Sequence, residues 1–389
     1  MTSLVDVLEP LTAAVRREDA RGAAGCLREL PRSLVEQLPP EWLAANVLAL
    51  ECGNFDCLSP LFARCELAGP GGQFLIVAPF ALRRSAGDVC ALSLLYGRVL
   101  PHEATAGLGV QIETIQRAPL RQPINPLVPI HVFASAGNVH GTSFVVSDGW
   151  RWRDSALGPA LTAVTDQRER FTAVGQACIR RVFDTDTADL VLEPLLRQNA
   201  AERVHLRSYE IHDAGHAAGL GLAHKIRDNL LPSYWYRGVE EWRADGIAFE
   251  ASRQLLSPSE VADDLASNLC VRFGLDVPRA ETGLDGFDEH VPASLLTLDR
   301  LLRHGFIKVR RGRLALANVT PMGLIDAFEP QRTEAIELTR RELGLEHEAG
   351  VLRLYGSVEV HRASEAILDG MIREPCRGLY AAPCDRGPP

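Results

Sequence analysis

The chain has 389 residues, 46% of them hydrophobic, and a formal net charge of -9. That much apolar material can bury a sizeable core without disulfide staples, and a pI of about 5.7 excludes a general nucleic-acid or anionic-membrane surface. No apolar run reaches the ~18 residues of a membrane span, and the opening MTSLVDVLEPL lacks the basic start and apolar middle of a signal peptide. A cytoplasmic protein is therefore expected, with neither nucleic acid nor membrane as partner. Nine scattered cysteines, an odd number, are expected to stay reduced. Cys52, Cys57 and Cys65 cluster without a C-x-x-C pair and read as small apolar residues. The 41 basic residues include only two lysines, Lys225 and Lys308.

Residues 1–66 read as a helical segment, with apolar positions Leu4, Val5, Leu8 and Leu11, then Leu27 and Leu30, then Leu34 and Leu38, broken by Pro39-Pro40. Residues 67–153 read as a β-rich segment. QFLIVAPF, GVQIETIQ, PIHVFASA and TSFVVSDGW are short apolar runs between Gly, Pro and Asn punctuation, and the proline-rich stretch 118–129 reads as a loop. Residues 154–389 read as a mainly helical catalytic domain. Helices are expected over 161–183 and 188–196, after Ser257-Pro258-Ser259-Glu260, which has the form of a capping box, and over 292–304, 331–343 and 359–372. FIKVRRGRLALA reads as a hairpin turning at Arg311-Gly312, and the tail from Glu374 as irregular. Helix followed by basic hairpin, with Arg303, Lys308, Arg310, Arg311 and Arg313, has the form of the end of a winged-helix module. No recognition helix precedes it, and the chain is acidic. The fold class expected is α+β.

The stretch 209–249, YEIHDAGHAAGLGLAHKIRDNLLPSYWYRGVEEWRADGIAF, carries the chemistry. His212 and His216, four apart, stand on one face of an expected helix, so both imidazoles can reach one ion. A second helix, expected from about Arg237, repeats the spacing with carboxylates. Glu241 is the candidate third ligand and Asp245 the candidate partner that orients a ligating histidine. Glu240 competes with Glu241, but only Glu241 has an acid four residues on. Gly215, Gly219 and Gly221 interrupt the helical pattern at a cost of ~1 kcal/mol each, which signals close approach by another element or a ligand. Tyr234, Trp235 and Tyr236 are expected in the loop between the two helices, where Tyr234 or Tyr236 could donate to a developing oxyanion. Arg237 and Arg243 are candidates for a substrate carboxylate or for ion pairs with Glu240 or Asp245. His224, His290 and His304 are further candidates for the cavity wall.

HDAGHAAG with EEWRAD resembles the gluzincin branch of zinc metallopeptidases, whose pattern is HExxH followed by ExxxD. The resemblance covers about 40 residues and implies a zincin-like fold, Zn2+ (with Fe2+ or Mn2+ as alternatives) held by His212, His216 and Glu241, and a peptide or other small-molecule substrate. Gly219 also fits the longer metzincin pattern, but Leu222 stands where that branch has its third histidine. One departure bears on mechanism. The family's general base is the glutamate after the first histidine, and this chain has Asp213, one methylene shorter. Two histidines and a carboxylate also describe the facial triad of Fe(II) oxygenases, and HDAGH shares the HD pair of phosphohydrolases. The sequence therefore leaves open a hydrolase with Asp213 as base, a metal-dependent lyase, cyclase or oxygenase on a small metabolite, and a catalytically inactive zincin-like module. Oligomeric state is not legible.

Overall fold

In the computed structural model the N-terminal segment forms helices α1 (Leu4–Arg16), α2 (Ala20–Arg28), α3 (Arg32–Val35) and α4 (Pro40–Cys52). The structure describes residues 4–55, 58, 71–84, 87–102, 104–124, 127–137, 144–145, 160–163, 171–197, 201–279, 289–345 and 348–380. Leu8, Leu11, Ala14 and Val15 on α1 are buried together with Leu27 and Trp42, as the 3.6-residue period requires. Cys57 and Cys65 lie outside the described residues, and Cys52 is free and exposed.

Strands β1 (Gln73–Arg84), β2 (Gly87–Val99), β3 (Leu127–Ala136), β4 (Phe144–Val145) and β5 (Ala160–Ala163) form one sheet in the order β1-β2-β3-β5-β4. β1 and β2 are an antiparallel hairpin, while β3 pairs with β5 in parallel. β1 lies at the edge, and the fully buried Asn46 on α4 takes the place of a sixth strand there. It accepts from Val77 N at 2.7 Å and donates to Leu75 O at 3.2 Å, so these two buried backbone groups of the edge are satisfied.

GVQIETIQ and the start of the helix expected over 161–183 change type. GVQIETIQ is not a strand but part of helix α5 (Leu108–Gln116), whose buried residues Leu108, Ile112, Ile115 and Gln116 follow helical spacing. The alternation of Val110, Ile112 and Thr114 imitates a strand only because Val110 is an exposed hydrophobic. At the start of the expected helix 161–183, residues 160–163 are β5, and helical structure begins at Phe171.

The chain divides into two compact units. One contains Met1–Ala104 and Asn125–Arg168, the other Thr105–Ile124 and Glu169–Gly387. The second unit holds α5 and the helices α6 (Gln176–Val182), α7 (Thr185–Leu196), α8 (Ala201–Gly215), α9 (Leu222–Arg227), α10 (Tyr234–Leu255), α11 (Pro258–Leu269), α12 (Val277–Arg279), α13 (His290–Arg303), α14 (Pro321–Leu343), α15 (Glu348–Gly356), α16 (Arg362–Ile367) and α17 (Glu374–Tyr380). Between α13 and α14 runs the hairpin β6 (Ile307–Arg310) and β7 (Arg313–Leu316), turning at Arg311-Gly312 as expected. The capping box at Ser257 and Glu260 forms at the start of α11. α14 begins ten residues before the expected start, because Thr320 caps it with Pro321 in the first turn and Pro330 is accommodated within the helix. The tail expected to be irregular forms α17 through Tyr380. The fold class is α+β and mainly helical. No helix among the described residues is long and apolar enough to cross a membrane.

α10 is the axis of the second unit. It packs against α8, α13 and α14 and is buried nearly all round, from Val239 and Glu240 through Trp242, Arg243, Ala244 and Asp245 to Phe249. Such a helix shows no single apolar stripe, and its buried charged residues must find partners in the neighbouring helices.

In the first unit, Asn46→Leu should lower stability by about 2–4 kcal/mol, because it orphans one buried donor and one buried acceptor on β1. Urea unfolding measures the loss, and a change within about 0.5 kcal/mol would show that solvent or another group satisfies that edge.

Candidate metal centre

α8 ends at Gly215, so His212 sits in its last turn and His216 one residue beyond it. The i, i+4 relation nevertheless survives, because the chain continues in tight turns, with His216 N donating to Asp213 O at 3.1 Å and Ala217 N to Ala214 O at 3.0 Å. Leu222 N then returns to His216 O at 3.0 Å. Gly215 and Gly219 show why glycine is needed here. A Cβ on Gly215 would lie 2.5 Å from the carbonyl oxygen of Ala244, so α8 and α10 meet backbone to backbone. Gly219 has φ +69°, and a Cβ there would lie 2.7 Å from Glu342. The close approach that the glycines signalled is thus an approach of protein to protein.

The two helices bring three side chains together. Ligand atoms of His212, His216 and Glu241 all lie within 4.8 Å of one another. The two Nε2 atoms are 3.2 Å apart. Glu241 Oε2 is 3.3 Å from His212 Nε2, and Oε1 is 3.5 Å from His216 Nε2. Each histidine is held from behind by a carboxylate. His212 Nδ1 is 2.8 Å from Asp245 Oδ1, and His216 Nδ1 is 3.1 Å from Glu240 Oε1. A carboxylate at Nδ1 fixes the proton there and turns the Nε2 lone pair inward. Two such lone pairs facing each other beside a third carboxylate repel unless a cation or proton lies between them. Although burial would lower the pKa of His212, its bonds to Asp245 and Glu241 push it up to about 10. The donor set of two imidazoles and a carboxylate suits Zn2+, Fe2+ or Mn2+. A cavity lined in part by His212, Asp245, Ser252 and Asn268 reaches His212 from the Asp245 side, and neither His216 nor Glu241 lines it.

Glu240 turns into the protein instead. Its carboxylate accepts from Lys225 Nζ at 2.6 Å, Arg243 Nη2 at 2.6 Å and Tyr355 OH at 2.6 Å. Lys225 also reaches Glu342 Oε1 at 2.9 Å, and all four charged side chains are at most 1% exposed. Burial would raise the pKa of Glu240, but Arg243 and Lys225 outweigh it and hold the carboxyl well below its ordinary range. Glu342 and Arg243 also fix the turn that carries His216: Leu220 N donates to Glu342 Oε1 at 2.7 Å, and Arg243 Nη2 to Gly215 O at 3.3 Å. On the other side, Asp245 receives Asn268 Nδ2 at 2.9 Å and Arg272 Nε at 3.0 Å. Burial opposes ionisation of Asp245, while Arg272 and His212 hold its pKa below the usual value. Burial likewise would raise Glu241, but the histidines around it pull it well below.

The remaining candidates separate. Asp213 is on α8, half-buried beside His212. Tyr234, Trp235 and Tyr236 are not in a loop but in the first turn of α10, which starts three residues before Arg237 at the N-cap Ser233. At 100° per residue, Tyr234 falls on the Glu241 face two turns away, whereas Tyr236 lies about 140° round the helix, packed with the cluster around Tyr355 and next to Gly356. Arg243 is the ion-pair partner of Glu240, and Arg237 Nε reaches Leu231 O at 3.4 Å. His224 Nε2 lies 3.3 Å from Asp228. His290 Nδ1 is 2.6 Å from Arg272 Nη1 and 3.5 Å from Glu241 Oε2, which brings it to the edge of the group. Sequence reasoning missed Lys225, Asn268, Arg272, Glu342 and Tyr355. The signals were faint: a lysine in a chain that otherwise uses arginine, and Asn268 and Arg272 four apart inside an apolar pattern.

Residues 5–234 match a family of unknown function, DUF6014, and the chain belongs to that family. The matched span contains His212, Asp213 and His216 and stops before Glu241. None of the curated proteins matches the chain in sequence. Among solved structures it is similar to dipeptidyl-peptidase III from Corallococcus sp. strain EGB, with a TM-score of 0.59 and 16% identity over 94% of this chain and 70% of that one. It is also similar to DPP III from Caldithrix abyssi, with a TM-score of 0.61 and 14% identity over 95% and 70%. At such identities the likeness establishes a shared fold.

Gly215→Ala gains ~1 kcal/mol in helix propensity but drives a methyl group into the α10 backbone. A net loss of about 1–3 kcal/mol is expected, measured by thermal or urea unfolding; an unchanged or raised stability would mean that α8 and α10 can separate freely.

Proposed function

We propose that this protein is a metal-dependent hydrolase of peptide or amide bonds, with Zn2+ held by His212, His216 and Glu241. One observation carries the reading: both histidines present Nε2 to a common point beside Glu241, each locked by its own buried carboxylate. The fold shared with two peptidase structures supports it. A Zn2+ held by His212, His216 and Glu241 would supply Lewis acidity toward a carbonyl and would activate a water for attack. Asp245 and Glu240 hold the Nδ1 protons of the two imidazoles and so orient both Nε2 atoms as ligands. Asp213, next to His212, is the carboxylate that takes the proton as water attacks. Tyr234, on the Glu241 face of α10, is better placed than Tyr236 to donate to an oxyanion. The substrate is a peptide or small amide, and the protein works without nucleic acid or membrane.

Asp213 is also the observation that favours a second reading. An aspartate in place of glutamate shortens the base by a methylene, roughly 1 Å, and such a displacement can cost on the order of a hundredfold in rate. A gentler metal-dependent reaction on a small metabolite, as in a lyase, cyclase or oxygenase, tolerates the shorter arm better.

Elemental analysis of protein purified without chelator should find close to one zinc per chain, and His216→Ala should lose most of it. Less than about 0.2 equivalents of any transition metal in the wild type, with no gain on adding zinc, iron or manganese, would end the metal reading. Iron in place of zinc would favour an oxygenase. With a panel of fluorogenic peptide amides as probes, Asp213→Glu should keep or raise hydrolysis; loss of activity with metal content intact would contradict the role given to Asp213.

A further inference from the structure

Arg272 lies in a turn of wider, π-helical winding, Cys270–Asp276, that continues α11. Such turns re-aim side chains that regular helix would not. Its side chain is 4% exposed and its guanidinium reaches four groups. Nη2 is 2.9 Å from Asp245 Oδ2 and 3.4 Å from Glu241 Oε2, and Nη1 is 3.2 Å from Asp276 Oδ2 and 2.6 Å from His290 Nδ1. The guanidinium cannot give up its proton in a protein. A permanent positive charge is therefore built against the one ligand carboxylate, in a site whose donors call for a divalent cation.

That charge acts in two opposite directions. When no metal is bound, it offsets Glu241 and Asp245, two carboxylates one helical turn apart. When a metal is bound, it repels the ion across a single carboxylate. Its orienting role, by contrast, is shared, because Asp245 keeps bonds to His212 and Asn268 without it. Charge therefore outweighs geometry at this residue. We propose that Arg272 is the resident counter-cation of the site: it stabilises the metal-free form and holds divalent-metal affinity below what His212, His216 and Glu241 would reach alone, so that the ion exchanges. The inference rests on the metal-binding reading above.

Zn2+ affinity, measured on the full-length protein by competition with a chromophoric chelator, tests it together with thermal unfolding of the metal-free form. Arg272→Met should bind Zn2+ about tenfold tighter or more, with a lower melting temperature when metal-free and a larger shift on adding Zn2+. Arg272→Lys keeps the charge and should stay within about threefold of the wild type. Asp276→Asn removes a negative charge from the far side of Arg272, at a side chain that is 12% exposed. It should weaken Zn2+ binding about two- to fivefold, and it decides the question alone should Arg272→Met fail to fold. Equal or weaker Zn2+ binding by folded Arg272→Met, or unchanged binding by Asp276→Asn, would overturn the counter-cation role. A wild type that binds no Zn2+ would instead overturn the metal reading on which it rests.

Discussion

Three carboxylates on one buried helix, Glu240, Glu241 and Asp245, each need a positive partner, and the second unit is arranged around supplying them. A buried carboxylate without one pays a desolvation cost that no domain of ordinary stability can carry. Glu240 is answered by Lys225 and Arg243, and Asp245 by Arg272. Glu241 is answered by the outer edge of Arg272 at 3.4 Å, by His290 at 3.5 Å and by two imidazoles whose other nitrogens are already committed. These neighbours hold its carboxyl well below the ordinary range, and the proposed divalent cation, set against the two Nε2 atoms, would be the strongest partner it has.

The same network explains why His216 can sit past the end of a helix and still be fixed. His216 lies on a turn, a poor place for a ligand that must hold its direction. Glu342 holds that turn at Leu220, Arg243 holds it at Gly215, and Glu240 holds the ring itself. These three charged groups belong to one buried cluster. Position and ring orientation of His216 are therefore set by one interaction system, and a change in any member reaches the site through it.

The candidate ligands were legible because their relations are local. Four-residue spacings on successive helices put His212 beside His216 and Glu241 beside Asp245, and the acid four residues on distinguished Glu241 from Glu240. What holds them was not legible. Lys225 meets Glu342, and Glu240 meets Tyr355 across 115 residues of chain, pairings set by tertiary packing that leave no periodic trace. Arg272 depends on a local widening of the helix that composition does not announce. The mainly helical α+β class was legible from the long periodic segments. Short runs were not: GVQIETIQ carries both a two-residue and a helical period, and burial of Ile112 and Ile115 on one face decided for the helix. The start of α10 was placed too late because the aromatic run resembles loop cover, whereas Ser233 begins the helix immediately before it.

An anomalous difference map from crystals soaked in Zn2+, recorded at the zinc absorption edge, would locate the ion between His212, His216 and Glu241. The account predicts one dominant peak about 2.0–2.2 Å from Nε2 of His212, Nε2 of His216 and a carboxylate oxygen of Glu241, with Nδ1 of each histidine still facing Asp245 and Glu240. A map with no peak at that point, or with the ion held by Glu240 or Asp245 instead, would contradict it.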